Sequence, residues 1–262
     1  MISYCIAVYR ATYARLLLAD LVAKTSVPFE ILVWLNVADP ALDEDIGRAT
    51  AAGVPLRVIG RTPANIGMLA YRHLFRQARF PLITQIDDDV VCVSRGIPQR
   101  AERLFRRFPT VRQLVADVWQ DEHTTGARPP LQHYSVFDEA EGLYLGPVDG
   151  WFAIYHRSIL PLLLGVRMTN YFSLGAAISG LLTRGGQHAV LDRGMKVFHV
   201  IGPAYASAFG TLAFEIEKYR RLRRTDIEAW YRSYSADDRS RAIMVQRVAA
   251  IRASLDATPA SR

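Results

Sequence analysis

Within the first 90 residues short apolar runs alternate with amphipathic stretches, and the fourth run stops on three consecutive aspartates. Ser3–Val8, Glu30–Leu35, Leu56–Ile59 and Leu82–Ile86 are short, apolar and closed by polar or turn residues, so each reads as a buried strand. Between them, residues 13–24 set Leu16, Leu17 and Leu21 on one helical face, and residues 41–52 form a helix ended by Gly53. A third helix follows Gly67, with Met68, Tyr71, Phe75 and Ala78 on one face. Strands separated by helices need crossover connections. The β-α-β-α-β-α-β order therefore predicts a parallel, Rossmann-like half.

Beyond residue 96 the alternation loosens. Gln99–Phe108 reads as a helix and Gln113–Val118 as a strand. Residues 120–142 are polar and contain Pro129-Pro130, which predicts a long loop of the functional or mobile kind. Val148–Tyr155 reads as a strand, Ser158–Leu164 and Ala176–Arg184 as helices, and Lys196–Val200 as the last strand. From Thr211 to about Leu255 the composition predicts two or three helices broken near residues 233–238. A chain of 262 residues suits one large α/β domain, or one domain with a helical appendage. Residues 257–262 have little to bury, so an unordered end is expected there.

Leu82 to Asp89 carries the most chemical information, because a buried strand ends and three carboxylates follow at once. In open α/β sheets ligands sit at the carboxyl ends of strands. Like charges roughly 4 Å apart at an effective dielectric near 20 repel by about 4 kcal/mol before screening. A bound divalent cation relieves that repulsion, and hard cations take carboxylate oxygens together with substrate phosphates. The plainer alternative is a solvated acidic turn capping a helix.

The order of elements and the aspartate run resemble the GT-A glycosyltransferases, especially the family 2-like group with its many bacterial members. Ile6-Ala7-Val8-Tyr9-Arg10 is similar to that family's first-strand segment, with Arg10 where the family usually has Asn. Trp34-Leu35-Asn36 ends the second strand, and Asn36 alone matches the acidic or amide pair usual there. Asn65-Ile66-Gly67 resembles the N-x-G before the third helix. The resemblance spans roughly residues 2–205 and is strongest over 2–92. It implies an α/β GT-A fold: a Rossmann-like, mixed, mostly parallel sheet flanked by helices. It further implies a nucleotide-binding half over 1–92, an acceptor-side half over 93–210 and a helical extension over 211–262.

By the same resemblance a nucleotide-sugar donor, a UDP-sugar by family frequency, would contact Ala7, Tyr9, Arg10, Asn36, Asn65, Gly67, Asp87 and Asp88. Mn²⁺ or Mg²⁺ would sit on Asp89 and on His199, which falls where the family often has a late histidine ligand. A lone histidine on an apolar strand is otherwise an ordinary core residue. The acceptor would be a small molecule, a glycan or a lipid-linked hydroxyl.

Inverting transfer needs a carboxylate base. The family often carries it at the start of a late helix, but Tyr171–Ile178 has no acid. Asp149, in the Gly-bracketed turn before Trp151, is the preferred base, and its alternative is a turn aspartate bonding its own backbone. Asp192, or a retaining reaction without such a base, are the other readings. Trp151 and Phe152 could wall a sugar or belong to the core, and His156-Arg157 could touch phosphate or simply begin a helix. Arg193 and Lys196 near His199 could neutralise a diphosphate.

A net charge of +7 admits nucleic acid, anionic lipid or phosphorylated small molecules as partners. The arginines are dispersed rather than blocked, and no nucleic-acid partner is expected. Lys218–Arg224 is the one local basic cluster and allows peripheral contact with the inner membrane surface, against a packed helix with its arginines in water. The amino terminus lacks signal-peptide character, no apolar stretch is long enough to span a bilayer, and Cys5 and Cys92 each sit in an apolar run. These features predict a cytoplasmic protein.

Two rivals fit less. A haloacid-dehalogenase-like phosphatase also places Asp-x-Asp after a strand, but that strand is normally its first, and no Gly-Asp pair occurs here. A basic nucleic-acid-binding protein leaves the acids at a buried strand end unexplained.

Overall fold

The structure is a computed structural model that describes residues 1–124, 128–169 and 173–257. Of the end expected to be unordered, 257–262, residues 258–262 lie outside the described residues, as do Tyr171 and Phe172 of the acid-free stretch.

The first half follows the sequence pattern within one or two residues. Strands β1 (Ile2–Val8), β2 (Phe29–Leu35), β3 (Leu56–Arg61) and β4 (Leu82–Asp87) alternate with helices α1 (Ala11–Lys24), α2 (Pro40–Ala51) and α3 (Leu69–Gln77). Asp39 caps α2 by accepting a hydrogen bond from the Leu42 N–H, and Pro40 occupies the first turn, where its missing N–H is harmless.

The second half is more strand-rich than expected. It comprises β5 (Val90–Val93), α4 (Ile97–Arg107), β6 (Val111–Val118), β7 (Ser135–Asp138), β8 (Leu143–Leu145), β9 (Phe152–His156), α5 (Leu160–Gly165), α6 (Leu174–Arg184) and β10 (His188–His199). Four helices follow: α7 (Pro203–Ala208), α8 (Leu212–Arg221), α9 (Thr225–Ser233) and α10 (Asp238–Ala257).

One mixed sheet runs β3-β2-β1-β4-β9-β6-β10-β8-β7, with β5 paired to the end of β10. β3, β2, β1 and β4 are parallel; β9 runs against both β4 and β6; and β10 is parallel to β6. The residues expected to form a long loop instead contribute the edge strand β7, which pairs with β8. The last strand, expected over 196–200, is a 12-residue β10.

Because β2 and β3 lie on one side of β1 and β4 on the other, the strand order reverses between β1 and β4. A crevice opens at such a point at the carboxyl ends of the strands. The main core fills the sheet faces, and a second apolar cluster joins Tyr13, Val91, Cys92 and Phe198 to α10 through Met244, Val248, Ile251 and Leu255. Among the described residues no helix is long and apolar enough to cross a membrane.

Candidate functional site

The reversal point is where the sequence places its acids. β4 is buried to Ile86 and delivers Asp87 at its carboxyl end, and Asp88 and Asp89 form the turn into β5. β5 pairs antiparallel with β10, setting Val90 against His199, while the Val200 N–H donates to the Asp89 carbonyl at 2.8 Å. That pairing carries His199 across 110 residues of chain to Asp89, where Nε2 lies 2.9 Å from Oδ1. Asp87, Asp89 and His199 each offer a ligand atom within 4.8 Å of the others.

The three aspartates differ in environment. Asp88 accepts the backbone N–H groups of Tyr9 and Arg10, both at 2.6 Å, and its other oxygen takes Arg10 Nε at 2.9 Å and Nη2 at 2.5 Å. Both of its oxygens brace the β1–α1 turn, which leaves little capacity for a metal. Burial would raise the Asp89 carboxyl, but Arg10 and His199 outweigh it and hold the group well below the usual carboxylate range. Asp87 is pushed up to about 7, chiefly by burial, with the like charge of Asp89 adding to the shift. Among the described residues the Asp87 carboxyl has no side-chain hydrogen-bond partner. His199 Nδ1 is also buried without one.

Two carboxylates and an imidazole suit Mn²⁺ and related divalent ions. The Asp87 carboxyl without a side-chain partner and the His199 Nε2 that faces Asp89 are polar groups that such an ion would satisfy, so the donor set fits a metal.

A cavity of about 160 Å³ opens beside these acids. Ala7, Tyr9, Arg10, Asn36, Asn65, Gly67, Asp87 and Asp88 all line it. Asn36 Oδ1 accepts the Ile66 N–H at 3.1 Å, and Asn65 Oδ1 accepts the Gly67 N–H at 2.7 Å. The turn needs φ of +51° at Gly67, a conformation that side-chain-bearing residues resist.

Sequence reasoning missed the rest of the wall. Phe214 and Lys218 of α8 line the same cavity, with Met68 and Tyr71. Phe214 stacks on Tyr9 with ring centroids 4.5 Å apart. Glu215, 5% exposed, pairs with Arg10 Nη1 at 2.7 Å, and Lys218 pairs with Glu215 at 3.2 Å. Arg10 Nη1 also reaches Asp89 Oδ2 at 2.6 Å, so one guanidinium joins three carboxylates. The only sequence hint was a basic helix interleaved with aromatics at Lys218–Arg224.

Asp149 lies in the turn before β9, against the start of α6. One of its oxygens accepts the Gly150 N–H at 2.8 Å and the other accepts Ser173 Oγ. Its charge contributes to the upward shift of Asp87, so the two carboxyls share one field. The turn reading of Asp149 and its proximity to the acids therefore both hold.

Other candidates lie elsewhere. Asp192 is fully buried and gripped by Arg100 Nε at 2.7 Å and Nη2 at 2.8 Å, which excludes it as a base. Trp151 and Phe152 belong to the core. His156 pairs with Leu82 at the amino-terminal end of β4, so His156-Arg157 is remote from the acids at its carboxyl end. Arg193 and Lys196 face Asp117.

No family model and no curated protein sequence matches the chain. Solved structures do. GalNAc-T7, determined with UDP, GalNAc and Mn²⁺, is 13% identical with a TM-score of 0.60 over 77% of this chain. The chain spans 43% of the length of that protein. The mannosyltransferase PcManGT from Pyrobaculum calidifontis, in complex with GDP-Man and Mn²⁺, is 13% identical with a TM-score of 0.60. That match covers 95% of this chain and 79% of PcManGT. S. aureus TarS 1–349, in complex with UDP-GlcNAc, is 14% identical with a TM-score of 0.56, over 77% of this chain and 59% of its own. At these identities the likeness concerns architecture: the chain has the α/β GT-A fold, a mixed, mostly parallel sheet with flanking helices, shared with these glycosyltransferases.

Proposed function

We propose that the protein is a metal-dependent glycosyltransferase that moves a sugar from a nucleoside-diphosphate sugar, UDP-sugars first, to an acceptor hydroxyl. The observation that carries this reading is the convergence of Asp87, Asp89 and His199 at the strand-order reversal, beside a cavity lined by the β1, β2 and β4 ends. The solved proteins of like fold were determined with nucleotides or nucleotide sugars, two of them with Mn²⁺. A phosphatase of the dehalogenase type is disfavoured because Asp87 ends the fourth strand, not the first.

In this reading Asp87, Asp89 and His199 hold Mn²⁺ or Mg²⁺, which supplies positive charge to the donor diphosphate. Asn36, Asn65 and Gly67 border the nucleoside end of the cavity. Arg10 and Lys218 face its acidic end and add fixed positive charge there. Asp149, steadied by Gly150 and Ser173, takes the proton of the acceptor hydroxyl as its oxygen bonds the anomeric carbon and the nucleoside diphosphate departs. Residues 211–262 act as an extension whose helix α8 closes the donor cavity.

A thermal-shift screen of UDP-, GDP-, CMP- and dTDP-sugars with and without Mn²⁺ tests this directly. One diphosphate nucleotide sugar should raise Tm only with metal present, and Asp89→Asn should abolish the gain relative to its own baseline. Equal gains in both proteins, or none with any donor, would overturn the assignment.

A further inference from the structure

Two strand spacings from the acids, a second charged cluster lies at the same end of the sheet's central strands. Asp117 stands near the carboxyl end of β6 and is fully buried. Its Oδ1 accepts Arg128 Nε at 2.5 Å, its Oδ2 accepts Lys196 Nζ, and Arg193 Nε lies 3.9 Å from Oδ2. Among the described residues no other carboxylate pairs with any of the three cations. One carboxylate facing three permanent cations leaves a surplus of two positive charges. A buried aspartate needs one or two such partners for its own neutralisation, so the third is not explained by Asp117.

The cluster is built by a defect in β10. Asp192 stands opposite Ala116 and Lys196 opposite Asp117, so residues 193–195 are extra on the β10 side. A bulge of this kind re-aims side chains, and bulges recur beside active sites. Gly194 packs against Arg100, where a Cβ would come within 2.4 Å of the guanidinium carbon. Arg193 remains half-exposed over the Tyr144 ring, 5.7 Å from its centroid, and Lys196 is partly exposed.

Strand register places this cluster relative to the acids. Ile86 pairs with Phe152 and Val115 with Ala153, and the Asp87 N–H donates to the Trp151 carbonyl. Continuing both registers sets Asp87 and Asp117 at one level on either side of Trp151, whose Nε1 donates to the Ala116 carbonyl. Two strand spacings amount to roughly 10 Å. That is about the span of a sugar ring and the acceptor group next to it, on the side of β4 away from the nucleoside cavity.

We infer that Arg128, Arg193 and Lys196 form a subsite for an anionic group, a phosphate or a carboxylate, carried by the acceptor. The inference rests on the glycosyl-transfer reading for the word acceptor, but the anion subsite itself does not. Guanidinium forks match either oxyanion bidentately, and Asp117 pre-organises two of the cations so that less side-chain freedom is lost on binding.

Inorganic phosphate and acetate, titrated separately into metal-free full-length protein and followed by calorimetry, test the subsite. Wild type should bind one or both, and the tighter of the two identifies the oxyanion. Arg193→Gln combined with Lys196→Gln should weaken that binding by about tenfold or more, as expected for losing charge-assisted bonds. The same double variant should keep the Mn²⁺-dependent nucleotide shift, whereas Asp89→Asn should lose that shift and keep anion binding. Anion affinity unchanged in the double variant, or lost equally in Asp89→Asn, would overturn the subsite. Loss of the nucleotide shift in wild type would instead fault the donor reading alone. Arg128→Gln gives a second, single-site measure should the double variant fold poorly.

Discussion

Three buried carboxylates converge on the Arg10 guanidinium. Removing one partner of a buried charge pair typically costs about 3–5 kcal/mol, because the remaining charge is stranded. Arg10→Ala should therefore lower stability by at least about 3 kcal/mol in metal-free urea denaturation. Mn²⁺ should restore more stability to this variant than it adds to wild type, because Asp89 would regain a cation. Arg10→Lys should rescue only part of the loss, since a point charge cannot reproduce the two bonds to Asp88. A metal-free midpoint matching wild type would remove Arg10 as the neutralising group. At this scale the cavity residues of β1, β2 and β4 were legible through the motifs that resemble the GT-A family, and the aspartate run through its place at a strand end, where ligands of open α/β sheets sit. Glu215 was not, since 205 residues separate it from Arg10 and nothing local marks it. Asp192 looked available for the same reason: its partner Arg100 lies 92 residues away.

Helix α6 shows how an element can place a candidate base that it does not itself contain. A Cβ on Gly175 would meet the Asp149 carbonyl carbon and the Gly150 nitrogen at 2.5 Å, so the helix lies directly on that turn. Helix propensity alone predicts that Gly175→Ala stabilises by about 0.5–1 kcal/mol. The backbone clash reverses the sign, and the variant should be destabilised, with kcat falling more than KM for the donor changes. Urea denaturation together with steady-state kinetics on the donor found by the screen would check it; a stabilised, fully active Gly175→Ala would show that α6 does not set the Asp149 turn. A second element, α8, reaches the donor cavity through Phe214. Phe214→Ala should raise the donor KM severalfold while leaving the fold intact, because the Tyr9 stack contributes about 0.5–1.5 kcal/mol. An unchanged donor KM would place α8 outside donor binding. Strands β5, β7 and β8 were not read as strands, and β10 was read only over its last residues. β5 is four residues long and reads as the tail of the acidic turn, and the bulge at 193–195 breaks the alternation that would have extended β10 back to His188. β7 presents Val136 largely to solvent and so lacks the one-sided apolar pattern of a core strand.

Across the whole molecule, the carboxyl-terminal helix closes the core on which the acids stand. α10 lies against β5 and β10, and Arg252 pairs with Asp20 and Asp256 with Lys24, both at 2.8 Å. Its Met244, Val248, Ile251 and Leu255 cover Val91, Cys92 and Phe198, the neighbours of Asp89 and His199 in sequence. Burial beneath this helix, with the charge of Asp20 adding, pushes the Cys92 thiol up to about 12. Cys5 is buried in the separate main core, away from α10. The two thiols therefore report on different parts of the molecule. Ile251→Ala combined with Leu255→Ala leaves cavities under α10, each costing about 2–5 kcal/mol. Local release of α10 should expose Cys92, return its thiol toward the ordinary range and speed its labelling by a disulfide reagent, while Cys5 stays protected. A smaller gain of Tm with nucleotide and Mn²⁺ should accompany that release, because β5 anchors the turn that carries Asp89. Parallel labelling of both cysteines would mean that the molecule opens only as a whole, and α10 would then be an inseparable part of one cooperative core rather than a cover over the metal-bearing strands.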